Sequence, residues 1–404
     1  MPEVREAVIV GAVRSPVGKR GGSLKDVHPV DLLADVLREL VARTGVDPER
    51  IEDSITGCVS QAGEQTFNIG RNAWLAAGFP ETTPATTIDR QCGSSQQAAH
   101  FAAQGVMAGA YDLVVAAGVE SMTRVPMFSS TMGQSPFGTR LPARYDGKLV
   151  PQGISAELIA SKWGITREQS DDFAHRSHLR AAGAIREGRF EREVVPMKVT
   201  VDGTEILFDH DEGVRMEPDR EKLGTLAPAF QSPQFEEMFS GELTGWTVTA
   251  GNSSQISDGA AALLIASRET AEELGLTPRA RLVSFAVVGD SPVMMLTGPI
   301  PATRKALERA GLSLADLDAV EINEAFASVV LAWKKELGID DAWFEERVNP
   351  NGGAIALGHP LGATGAKLMT TLVHGLERTG GRYGLQVMCE GGGMANATII
   401  ERLG

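Results

Sequence analysis

Residues 312–323, LSLADLDAVEIN, form a short acidic turn that runs into an apolar strand, and residues 47–57, DPERIEDSITG, do the same in the first half of the chain. The correspondence extends outward from both. Before the earlier turn, residues 29–43 place Val30, Leu32, Leu33, Val36, Leu37, Leu40 and Val41 at helical spacing, with Gly45 where a helix stops. Residues 302–310 are the helix before the later turn. After the turns, residues 93–110 predict an Ala-rich helix leading to a strand at 111–118, and residues 362–376 a helix leading to a strand at 383–389. The chain opens on EAVIVGA at 6–12, an apolar run suited to a strand buried on both faces. An α/β fold built from two copies of one unit is therefore expected. In such a fold Cys92 and His359 fall in matching places, at the starts of two equivalent helices, and a pseudo-twofold arrangement brings those ends face to face.

Between the copies, from about residue 121 to 249, the rhythm breaks into a stretch rich in Met, Pro, Gly and charge. Two helices are predicted within it, at 155–162 and 167–187, and a segment of this kind is better suited to covering a ligand than to building a sheet.

Composition narrows the function classes. The 404 residues, 43% of them hydrophobic, support a large core. Three cysteines, at 58, 92 and 389, form no C-x-x-C pair, which argues against a disulfide framework or a structural zinc site and for a reducing compartment. A net charge of -14 without a long basic block disfavours nucleic acid and anionic membranes as partners, so an anionic ligand needs a local basic contact. The start, MPEVREAVIVGAVRSP, does not read as a signal peptide, the end, IIERLG, is not a peroxisomal address, and no apolar run reaches the ~18 residues of a membrane span. A cytoplasmic enzyme is the expectation.

Two thiols stand beside glycines. In DRQCGSSQQ (89–97), Gly93 and Ser94 begin a helix after Cys92, so the helix dipole is expected to lower the thiol pKa and favour thiolate; a small buried hydrophobe is the other reading. Cys389 ends a strand before three glycines, whose free backbone N–H groups suit an oxyanion. His359 lies in NPNGGAIALGHPLGATG (349–365), where five glycines imply close backbone approach and Pro360 fits the first turn of a helix. That run lacks both a G-K-[ST] ending and the strand-GxGxxG-helix register of nucleotide-binding loops. The other histidines, His28, His100, His175, His178, His210 and His374, read as structural, and Asn323 reads as a helix cap.

Taken together, these segments resemble the thiolases from end to end. Five stretches match in the family's order: the Cys92 segment, GNSS (251–254) with SDGAA (257–261), NEAF (323–326), GHP (358–360) and C-x-G at 389–391. Within the family the likeness is to actinobacterial members of lipid or steroid breakdown. The resemblance implies a duplicated five-layered α/β/α/β/α fold with an inserted loop domain. Residues 1–121 and 257–279 would form the N-terminal half, 122–256 the insert, and 280–404 the C-terminal half. It also implies roles. Cys92 would carry the acyl group, His359 would take its proton, and Cys389 would be a second acid/base. His359 and Asn323, the latter through a water, would form one oxyanion hole, and the backbone N–H groups of Cys92 and Gly391 another. Coenzyme A would enter as a substrate rather than a resident cofactor, and no metal is implied. Arg215 would sit near its adenine and phosphate end, Phe230, Ala250 and Ser254 along the pantetheine, and Ala325 and Phe326 at the inner end; for Arg215 a solvated surface charge is the other reading. A homodimer or homotetramer is the implied assembly.

Two departures bear on the substrate. Pro151-Gln152 stands before Gly153 where many members have a methionine or His-Met, and residues 231–243 after Phe230 are longer than in short-chain biosynthetic members. Both lie where an acyl tail would pass, which leaves its length open. A ketoacyl-synthase-like condensing enzyme shares the duplicated fold but usually lacks a second active-site cysteine, and a catalytically silent CoA-binding protein would be marked by loss of Cys92, His359 or Cys389.

Overall fold

The computed structural model describes residues 5–404. Its spine is a ten-stranded sheet. Nine strands carry it: β1 (Ala7–Arg14), β2 (Asp53–Gly57), β3 (Ala85–Ile88), β4 (Leu113–Ser121), β5 (Ser257–Ser267), β6 (Ala280–Gly289), β7 (Ala319–Ile322), β8 (Tyr383–Glu390) and β9 (Met394–Arg402). The tenth is the two-residue Gly18–Lys19, paired with β5. The order across the sheet is β7-β8-β9-β6-β1-β5-β4-β2-β3. Read outward from the middle, β1 corresponds to β6, β5 to β9, β4 to β8 and β2 to β7. Parallel and antiparallel pairings correspond as well: β2 with β4 and β7 with β8 are parallel, while β4 with β5 and β8 with β9 are antiparallel. Of the nine, only β3 lacks a counterpart strand in the second copy among the described residues, where a single parallel bridge between Val320 and Val348 takes its place. The copies join edge to edge through two residue pairs, Val8 with Arg281 and Ile9 with Ala280.

Helices cover both faces. α1 (Pro29–Thr44) starts on a proline with the His28 ring accepting from the Val30 N–H, and ends on Gly45 at φ 69. Its Leu32, Leu33, Val36, Leu37 and Leu40 cover the outer face of the first half-sheet. α2 (Ser94–Met107) lies between the half-sheets with a second helix that matches it below. Beyond the insert helices α3 (Gln152–Trp163) and α4 (Arg167–Arg186), α5 (Pro299–Ala310) covers the outer face of the second half-sheet, joined there by α6 (Ala327–Glu336). α7 (Thr364–Thr379) is the counterpart of α2, and the two form the middle of five layers. Ala98, Ala99, Ala102 and Ala103 of α2 and Ala366, Met369, Leu372 and Val373 of α7 fill that layer. No helix among the described residues is long and apolar enough to cross a membrane.

The central helices approach closely at one glycine. A Cβ built on Gly365 would collide with the backbone nitrogen of Gln96, and one residue on, the Ala366 N–H donates to Ser95 Oγ at 2.8 Å. Backbone cannot swing away as a side-chain end can. Gly365→Ala is therefore expected to cost about 1–3 kcal/mol by overpacking, measured by denaturant unfolding. Gly375→Ala, in the same helix with no atom within 4 Å of the added carbon, is the control and should be neutral or gain up to ~1 kcal/mol.

The stretch between β4 and β5 holds α3 and α4 and a small hairpin, Met197–Val201 with Thr204–Phe208. One buried cation ties it to the sheet. Arg14, at the end of β1, donates to Glu193 Oε1 at 2.7 Å and to both oxygens of Asp211 at 2.7 and 2.9 Å. Farther along, Ser177 of α4 donates at 2.6 Å to Glu324, a buried carboxylate that also accepts from Asn349 Nδ2 at 2.8 Å.

Candidate active site

The loop from β3 into α2 is bent by Gln91, which adopts φ 49, so that Cys92 arrives one residue before the N-cap Gly93. Ser94 locks the bend: its hydroxyl donates to the Gln91 carbonyl at 2.6 Å and accepts from the Arg90 N–H at 2.9 Å. Opposite, β8 delivers Cys389, after which Gly392 and Gly393 turn the chain at φ 83 and 78. The turn sends the Gly391 N–H toward the Cys92 sulfur, and the N–H of Cys92 itself points to the same atom. Cys389 lies close enough that a charge on Cys92 raises its pKa.

His359 stands ahead of α7, as expected, but Pro360 is not in the first turn of that helix: it precedes a short 3-10 turn, Leu361–Ala363, and α7 begins only at Thr364. The reason is an anchor: the Gly362 N–H donates to Glu120 Oε2 at 2.9 Å, and the same carboxylate accepts from Val59 N, Ser60 N and Gln65 Nε2. The backbone N–H of His359 donates to Ser257 Oγ at 3.1 Å. Its ring is oriented by Thr364. That hydroxyl spends its single hydrogen on the Pro360 carbonyl at 2.8 Å, so His359 Nδ1, 2.6 Å away, must be the donor to Thr364 Oγ1. The lone pair is thereby left on Nε2, which faces Asn323 Nδ2 at 3.4 Å. Asn323 is not the helix cap its sequence context suggests. Phe326 occupies the N-cap position of α6 without a side-chain bond, while Asn323 directly follows β7, buried, with its Oδ1 unpartnered among the described residues.

Electrostatics overturn the expectation of a resting thiolate. Burial pushes the Cys92 thiol up to about 12, the charge of Glu390 adds to this, and the N–H groups of Gly391 and Cys92 only partly oppose it. A helix terminus contributes about 0.3–1 kcal/mol at an exposed site and ~2 in favourable cases, less than the desolvation of a thiolate packed among Leu368, Met388 and Leu361. Burial, with Lys367 nearby, lowers His359 to about 3, so its ring is neutral. Burial likewise holds Cys389 well above the ordinary thiol range. The resting site at neutral pH is thus thiol, neutral imidazole and thiol.

A second group of expected residues meets beside the insert. The Phe230 ring packs against Gly153 and stands edge-on to Phe326, with centroids 6.3 Å apart. The Ser254 N–H donates to the Ala325 carbonyl at 2.9 Å, and Ser253 bridges to Phe326. Ala250 lies exposed just before the buried Gly251. Arg215 is exposed on a loop whose backbone N–H at this residue donates to His178 Nδ1 at 3.2 Å, and its guanidinium has no ion-pair partner among the described residues. Thr364, Glu120 and Glu390 carry no spacing signal, and only the fold brings them to the loops they hold; Ser257 lies in the SDGAA stretch, but its contact with His359 does not show in the sequence. Gln152 is better placed than its sequence indicated, with Nε2 approaching Gly391.

Comparisons with known proteins agree with this arrangement. The N-terminal domain model of thiolases matches residues 7–269 and the C-terminal domain model residues 276–402. The steroid 3-ketoacyl-CoA thiolase FadA6 of Mycobacterium tuberculosis is 50% identical, covering 98% of this chain and 94% of its own length. The 3-ketoacyl-CoA thiolase of Bacillus subtilis is 45% identical over 98% of this chain and all of its own. Among solved structures, the Bacillus anthracis acetyl-CoA acetyltransferase superposes with a TM-score of 0.88 at 40% identity, covering 100% of both chains. With both domain models matched in sequence order and a relative 50% identical over nearly the whole chain, the chain belongs to the thiolase family and is an acyltransferase.

Proposed function

We propose that the enzyme cleaves a 3-ketoacyl-CoA with coenzyme A, giving acetyl-CoA and a shortened acyl-CoA, through an acyl group carried on Cys92. One observation carries the assignment of the nucleophile: the N–H groups of Cys92 and Gly391 converge on the Cys92 sulfur, with the second thiol of Cys389 beside it. An oxyanion formed by attack of that sulfur on the keto carbon would lie within reach of both donors. His359 Nε2, unprotonated at rest, takes the thiol proton as the carbon–sulfur bond forms. When the bond between the α-carbon and the keto carbon breaks, the electron pair passes to the acetyl thioester as an enolate. The enolate oxygen is held by the protonated His359 and, through a water, by Asn323. Cys389 then gives its proton to the carbanion carbon. In the second half, the Cys389 thiolate takes the proton of the incoming coenzyme A thiol, whose sulfur displaces Cys92 from the acyl group, and His359 returns the first proton. The same steps in reverse are a Claisen condensation.

In this reading residues 122–256 hold coenzyme A between an N-terminal half of 1–121 with 257–279 and a C-terminal half of 280–404. The pantetheine runs past Phe230, Ala250 and Ser254 to Ala325 and Phe326, and the unpaired guanidinium of Arg215 meets the phosphates. Its setting is the reducing cytoplasm, where three free thiols persist. Its working form is a homodimer or homotetramer, supported by apolar side chains such as Phe67, Phe128 and Met132, 91%, 75% and 87% exposed, which a second copy would cover.

The substrate is an ester longer or bulkier than acetoacetyl-CoA. Gln152 at the mouth of α3 and the stretch after Phe230 support this, as does the likeness to the steroid 3-ketoacyl-CoA thiolase. A thiolysis panel from acetoacetyl-CoA to ring-bearing 3-ketoacyl-CoA esters is expected to give a higher kcat/KM for the longer or bulkier members. Acetoacetyl-CoA as the best substrate of the panel would overturn it.

A further inference from the structure

Glu390 sits between Cys389 and the oxyanion-facing Gly391, yet the chemistry above gives it no part. It is fully buried, and neither of its carboxyl oxygens has a hydrogen-bond partner among the described residues. A Cβ on Gly93 would overlap its Oε1, so the carboxyl is wedged against the residue that follows the nucleophile and caps α2. The ionisable groups facing it are Asp89, Arg90 and Cys92 from the loop before α2, and Cys389 from its own strand. From β9 it meets its cross-strand partner Met394, which carries no charge. Arg90 makes no ion pair with it; that guanidinium lies 3.8 Å from the Met394 sulfur instead. A carboxylate left this way is shut off from bulk solvent and has no partner among the described residues, which is costly for the anion and much less so for the neutral acid.

We propose that Glu390 is a positioning residue for the chemistry of Cys92: it works as an uncharged carboxylic acid behind the nucleophile, and its ionisation withdraws the thiolate from Cys92. Burial raises Glu390 to about 8, with Arg90 opposing and Asp89 adding to the rise. Its charge in turn raises both thiols. The sign follows. Below about pH 8 the carboxyl is neutral and thiolate at Cys92 grows tenfold per pH unit. Above it, each gain in thiolate is opposed by the new carboxylate, and the reactive fraction levels off until the pH rises further.

The inference rests on Cys92 as the acyl carrier, and the test separates the two. Alkylation of Cys92 by iodoacetamide is followed by peptide mass across pH, in the wild-type enzyme and in Glu390→Gln. The wild-type log rate should climb, flatten near pH 8 and climb again, whereas Glu390→Gln should match it below that point and exceed it about tenfold one pH unit above. Coincident curves, or a uniform displacement at every pH as a structural defect would give, overturn the proposal. If Glu390→Gln does not fold, an unbroken climb in the wild type alone overturns it. A flat segment in an enzyme whose Cys92 is never acetylated by acetyl-CoA would leave Glu390's control of the charge intact and remove the acyl-carrier reading instead.

Discussion

Cys389→Ala is expected to lose carbon–carbon bond chemistry and to keep acyl transfer. Loading of Cys92 needs the sulfur, the His359 lone pair and the two N–H donors, none of which belongs to Cys389. Making or breaking the bond at the acetyl methyl needs one more proton moved, and Cys389 is the group beside Cys92 that can move it. Thiolysis and condensation should fall by about 10²–10⁴-fold, the contribution of a positioned acid/base. Acetylation of Cys92 by acetyl-CoA and exchange with labelled coenzyme A should continue, whereas Cys92→Ala should abolish both activities. Quenched-flow acetylation and isotope exchange decide the matter. Equal loss of acetylation and condensation in Cys389→Ala, with the circular dichroism spectrum unchanged, would mean that the roles are assigned wrongly.

The largest effect on stability is expected at Arg14. Its guanidinium, Glu193 and Asp211 are all buried, so Arg14→Met leaves two carboxylates without the cation that compensates them. Breaking a buried pair from one side costs about 3–5 kcal/mol, much of it the penalty for the abandoned charge. Adding Glu193→Gln and Asp211→Asn removes those charges and should recover most of the loss. Equilibrium unfolding in denaturant measures each step. A loss under ~1 kcal/mol for Arg14→Met alone would show that the triad contributes little to holding the insert on β1.

The duplication was legible because each copy carries local signals strong enough to be compared: an amphipathic helix ended by Gly45 or by Gly311, an acidic turn, then an apolar strand. The absence of a second β3 was not, because the single bridge at Val348 follows a helix and leaves no strand-like run. At the site, the glycines around Cys92, His359 and Cys389 mark the segments, while the roles proposed for the three come from the resemblance to the thiolases. What escaped was anything set by packing. The helix-start argument for a thiolate takes account of the dipole, which is local, but not of the desolvation by Leu368 and Met388, which come from distant segments. The tautomer of His359 depends on a Thr364 hydroxyl already committed to Pro360, and the loop's path depends on Glu120, 242 positions before the Gly362 it holds. Asn323 read as a cap because strand-amide-helix is ordinarily a cap; three further residues before α6 move it into the site.

Everything proposed for the chemistry passes through one covalent species. Enzyme mixed with acetyl-CoA, quenched in acid and digested should show a single acetyl group on the peptide containing Cys92, and addition of coenzyme A before the quench should remove it. An active enzyme that carries its acetyl group on Cys389, on any other residue, or on none would contradict the account.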